Sequence, residues 1–102
     1  MKRYISASSN PYYDISRRVT DYFTSVVKKA GCTNSSYDDY RVEPDWAGGG
    51  ISITLQWDGN AISEKDVAHE ITSYFGQGFR CHDSWGRWDH QITVHIDEWR
   101  CR

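Results

Sequence analysis

The segment Ile51-Ser52-Ile53-Thr54-Leu55-Gln56-Trp57 constrains the fold more than any other stretch. Large apolar residues alternate with polar ones without a break. Side chains on a β-strand point to opposite faces with a period of two. Such a strand buries one face and leaves the other in water, as in an antiparallel sheet covered on one side.

Two helices are placed to supply the cover. Asn10 is a good N-cap, and Pro11 belongs in a first helical turn. Apolar residues then recur at Ile15, Val19, Tyr22, Phe23, Val26, Val27 and Ala30, one face of a helix over residues 11–30. Lys28 and Lys29 suit the negative end of its dipole, and Gly31 suits its termination. The second helix starts at Ser63, with Asp66 at the capping-box position and Ile62 and Val67 placed as a hydrophobic staple. Val67, Ala68, Ile71, Tyr74 and Phe75 form its expected apolar face, and Gly76 and Gly78 stop it.

Further strands are expected at residues 3–7, at Tyr37–Glu43, at Phe79–Asp83 and at Gln91–Trp99, with residues 32–36 a loop. In the last strand Ile92, Val94 and Ile96 point inward, and Thr93, His95 and Asp97 outward. Trp99 falls in the outward phase, so either a bulge turns it inward or it is an exposed aromatic. The order β-α-β-β-α-β-β predicts an α+β fold. Two helices lie on one face of an antiparallel sheet, ferredoxin-like with an extra C-terminal strand. Helix-strand-strand occurring twice describes the same order, and Trp46 and Trp57 are spaced like Trp88 and Trp99. The 102 residues suit one domain, 1–102.

Charge excludes some partners. Residues 1–51 carry 7 basic and 6 acidic side chains, and residues 52–102 carry 5 and 8. Neither half is basic enough for phosphate-driven binding of nucleic acid. No apolar run approaches the ~20 residues of a membrane span. The opening MKRYISASSN lacks the apolar stretch of a signal peptide. Cys32, Cys81 and Cys101 are an odd, widely spaced set, read as free thiols in a reducing cytosol.

Candidate chemistry is sparse. Cys81, His82, His90, His95 and Cys101 can meet around a metal if the last two strands pair. However, Cys81 and His82 are adjacent and point to opposite faces of a regular strand. A core thiol with surface histidines is the competing reading. Cys81-His82-Asp83 has the residue types of a catalytic relay but cannot form one among neighbours on a strand. Gly48-Gly49-Gly50 precedes a strand, the wrong context for a phosphate loop. No cofactor is expected.

The segment around Trp85, Arg87, Trp88 and Asp89 stands out. Trp and Arg dominate binding hot spots. The competing reading folds both tryptophans onto the sheet with Arg87 stacked on one of them. Base stacking is opposed by Asp83 and Asp89. A second acidic feature, Asp38-Asp39, can meet a basic partner or simply guard a strand edge.

The opening MKRYI, the small size and the lack of catalytic motifs resemble small accessory proteins carried by phages and mobile elements of Gram-positive bacteria. The resemblance implies a host-directed protein binder, an anti-CRISPR-like inhibitor being one example. Those inhibitors share no motif, so no site residue is carried over. The expected function is a non-enzymatic, cytoplasmic protein-binding module. A small metal- or nucleic-acid-binding regulator is the alternative.

Overall fold

The computed structural model describes residues 10–44 and 49–102; the strand expected at 3–7, and Trp46, lie outside them. The described elements are α1 (Pro11–Ala30), β1 (Ser35–Tyr37), β2 (Arg41–Val42), β3 (Ile51–Trp57), α2 (Glu64–Phe75), β4 (Phe79–Asp83), β5 (His90–Ile96) and a closing 3-10 turn (Glu98–Cys101). The fold is α+β, with two helices on one antiparallel sheet.

Both helices form for the reasons written in their ends. The Asn10 Oδ1 accepts from the Tyr12 and Tyr13 amides at 3.0 and 3.2 Å. The Ser63 hydroxyl accepts from the Asp66 amide at 3.2 Å. Each bond satisfies a donor that the first turn leaves without an intrahelical partner. Ile15, Val19, Phe23 and Val27 of α1 and Val67, Ile71 and Phe75 of α2 are buried. Tyr74, placed on the buried face by periodicity, is instead mostly exposed and stacks on Tyr22 with ring centroids 4.1 Å apart.

The sheet runs edge, β3, β5, β4, the first edge being β1 and β2 together. The last strand adds to the sheet from within, between β3 and β4. Helix-strand-strand therefore repeats as α1-β1/β2-β3 and α2-β4-β5, with the second strand of each unit at the centre. The register sets Ile51, Ile53 and Leu55 opposite Ile96, Val94 and Ile92, and sets Phe79 and Cys81 opposite Ile96 and Val94. Facing residues of an antiparallel pair share a face, so these side chains form one layer beneath the helices. All of them are buried except Cys81, which is half-buried.

The first edge differs from the continuous strand 37–43. It starts earlier, at Ser35, and breaks between Tyr37 and Arg41. Tyr37 opposes Leu55, while Arg41 opposes Ser52. Residues 38–40 thus face only Ile53 and Thr54, the one-residue excess of a β-bulge. The last strand ends at Ile96 rather than Trp99, because the chain turns into the 3-10 segment. That turn resolves the phase of Trp99. It is 57% exposed without being part of a strand.

His95 departs from expectation in a different way. It lies on the sheet face away from the helices, yet is 0% exposed. Its Nε2 is 3.5 Å from the Asp97 carboxylate, which also pairs with Arg80. Burial, helped by the Arg80 charge, holds its pKa below the usual imidazole range.

Candidate functional site

The turn between β4 and β5 presents the Trp/Arg cluster. Trp85 is 96% exposed, Arg87 and Asp89 are exposed, and Trp88 is half-buried. Neither stacking of Arg87 on a tryptophan nor an ion pair of Arg87 occurs among the described residues. An uncovered indole forfeits about 150–250 Å² of possible burial.

The turn is held from below. Gln91 Nε2 donates to the Ser84 hydroxyl and to the Trp85 carbonyl, both at 2.9 Å. Gly86 makes room for that amide, since a Cβ there would overlap the Gln91 Oε1. Asp89 is tied to the neighbouring turn. Its carboxylate accepts from the Gly59 amide, and its own amide donates to the Asp58 carboxylate, each at 2.9 Å. Asp89 thus braces two turns together. These bonds hold the backbone of the turn in place.

His90 anchors the base. Its ring stacks on Trp57 with centroids 5.3 Å apart. Nδ1 lies 2.9 Å from the Glu64 carboxylate, and Nε2 lies 2.6 Å from the Gly59 carbonyl. Both neighbours only accept, so the site favours the ring in its charged form. Burial opposes the charge, but the Gly59 carbonyl and the carboxylates of Glu64 and Asp89 outweigh it and raise the His90 pKa. A raised folded-state pKa stabilises fully below the unfolded value, about 6.5, and that stabilisation fades as pH rises through the folded value. In thermal melts at intervals from about pH 6 to pH 8 the wild-type midpoint should therefore fall relative to that of His90→Gln, the opposite contribution of the lowered His95 pKa being common to both. An equal slope in the variant would show that His90 does not carry it.

The other candidates are scattered. Asp38 and Asp39 lie on the bulge, at the opposite edge of the sheet from the Trp85 turn. They border a groove of about 470 Å³ between α1 and the edge, with Tyr13, Arg17, Tyr37 and Ile53. Sequence patterning missed this groove, because its walls come from α1, the sheet edge and β3, which are separate in the chain.

Cys81, His82, His90 and Cys101 do not converge. His90 opens β5, Cys101 closes the turn after its far end, and Cys81 and His82 point to opposite faces of β4. Among the described residues no group of three metal-ligating side chains forms. Burial pushes the Cys81 and Cys101 thiols up to about 11. A thiol at that value is almost wholly protonated at neutral pH and is a poor nucleophile.

No family model, curated protein or solved structure matches the chain. Among the described residues, no helix is long and apolar enough to cross a membrane.

Proposed function

We propose that the chain is a non-enzymatic protein-binding module that presents the β4–β5 turn to its partner. The observation that carries this reading is Trp85. It is 96% exposed on a turn whose backbone is fixed by Gln91 and Asp89. A solvent-facing indole on a backbone held in place is a suitable anchor for a protein partner. Trp with a nearby Arg is also the composition of an interface hot spot. The role implied by the resemblance to mobile-element accessory proteins, inhibition of a host defence protein, acts through such a contact. The high thiol pKa values disfavour Cys81 and Cys101 as nucleophiles.

The test is capture of a host protein by the immobilised chain. Replacing Trp85, Arg87 and Trp88 together by Ala should reduce capture at least about tenfold, the scale of a lost hot spot. Asp38→Ala with Asp39→Ala, at the other edge, should leave it unchanged. Full capture by the triple variant would remove the turn from the site.

A further inference from the structure

Among the described residues β4 is an open strand edge. Gly78 and Ser84 bond to β5 through Asp97 and Gln91 at 2.8 and 3.1 Å, and Arg80 and His82 fall between them in the same phase. Main-chain groups alternate in direction along an antiparallel strand. Those of Phe79, Cys81 and Asp83 therefore point out of the sheet, and none has an outward backbone-to-backbone bond among the described residues, the Asp83 carbonyl lying 3.4 Å from the His82 Nδ1. The opposite edge is different. The bulge at residues 38–40 and two exposed aspartates blunt it, as natural edges commonly are. β4 has five residues in regular register and no bulge, although Arg80 and Asp83 on it are charged and exposed.

Each end of β4 carries an uncovered tryptophan. Trp85 lies two residues past the end of β4. At its start, a Cβ on Gly78 would touch Trp99 and Arg100. Trp99 is 57% exposed, and the Arg100 guanidinium lies 5.6 Å from its ring centroid and 5.0 Å from that of Phe79.

We propose that β4 pairs antiparallel with β4 of a second copy of this chain, about a two-fold axis at Cys81. The proposal rests on the reading of Trp85 as a protein contact, and it names the protein. The outward residues are centred on Cys81, so this register sets Phe79 opposite the partner's Asp83 and Cys81 opposite the partner's Cys81. Every outward N–H then meets an outward carbonyl. The same register carries Trp85 to the partner's Gln77 and Gly78, where the second exposed tryptophan and its arginine lie. The indole that has no cover in one chain gains an aromatic and a cationic neighbour in two. The contact is self-complementary and closes as a dimer rather than a fibre.

Light scattering on the full chain from about 1 to 200 µM tests this directly. The expected mass at the upper end is twice the 11.9 kDa of one chain. Asp83→Pro should leave a monomer. Its amide points outward, so the fold loses no bond to β5, and Pro is tolerated on edges. Trp85→Ala and Trp99→Ala should each raise the dimer dissociation constant at least about tenfold. Their effects should combine to less than the product, because they remove the same contact. Circular dichroism checks that each variant is folded. A wild-type mass of one chain at every concentration overturns the proposal, as does a dimer unaffected by Asp83→Pro and Trp85→Ala. If the wild type is monomeric while Trp85→Ala abolishes host-protein capture, self-pairing falls and the protein-binding reading stands. If the dimer depends on Trp85 but host capture does not, self-pairing stands and the turn is not the host site.

Discussion

Trp57→Ala is expected to lower the stability of the fold by about 3–5 kcal/mol, the usual cost of truncating a large buried aromatic. Trp57 is 0% exposed at the end of β3. Its ring meets Phe23 of α1 at 5.6 Å and His90 of β5 at 5.3 Å. Its Nε1 donates to the Ile62 carbonyl at 2.9 Å, just before the cap of α2. One side chain thus joins α1 and the segment leading into α2 to the sheet, and its loss leaves a cavity and an unpaired carbonyl together. For a domain of this size the thermal midpoint should fall by roughly 15–30 °C. Trp85→Ala should change it by less than about 3 °C, as surface substitutions commonly cost under 0.5 kcal/mol. Differential scanning calorimetry of the two variants separates the buried tryptophan from the exposed one. Similar midpoints would contradict the packing described here.

Gly50→Ala is expected to be nearly as damaging, for a backbone reason. Gly50 has φ of 109°, and a Cβ there would overlap the Ile96 carbonyl oxygen and lie 2.9 Å from the Glu98 amide nitrogen. Both obstacles are main chain, so no rotamer change relieves them. The pairing of Ile51 with Ile96 and the turn into Glu98–Cys101 must separate to admit a methyl group. Gly59→Ala is the control. Its φ is 89° but nothing lies within 4 Å, so it costs only the left-handed strain of about 1–2 kcal/mol. Urea denaturation should place Gly50→Ala below Gly59→Ala by at least about 1 kcal/mol. The reverse order would mean that the β3–β5 contact at Gly50 yields easily.

The periodicity and the caps were legible in the chain. Asn10, Pro11 and Gly31 mark the ends of α1 where the structure has them, and Ser63 marks the start of α2. These signals are local: a capping oxygen or a left-handed glycine acts within one turn, so adjacent residues suffice to read it. The alternation at 51–57 told which face of β3 is buried, because burial follows strand parity directly. Trp85, Arg87 and Trp88 were readable as a cluster by composition alone.

Other features depend on partners far along the chain. Parity put His95 outward; that it is also buried depends on what covers that face, with Asp97 and Arg80 among its neighbours. The bulge at Asp38–Tyr40 appears only when the edge is set against β3, since it is a mismatch between two strands. The place of β5 at the centre of the sheet, rather than its margin, is likewise a matter of pairing. Trp99 left the strand phase because the chain turns after Ile96.

The stretch at 51–57 by itself determined a half-buried strand and hence a one-sided sheet, because alternation is a property of neighbours. Whether a tryptophan is core or surface was decided by tertiary structure. Trp57 is enclosed by α1, β5 and the approach to α2, whereas Trp85 sits beyond the end of β4, where no element among the described residues covers it. Exposure depends on which elements cross a position in space, and no local pattern records that.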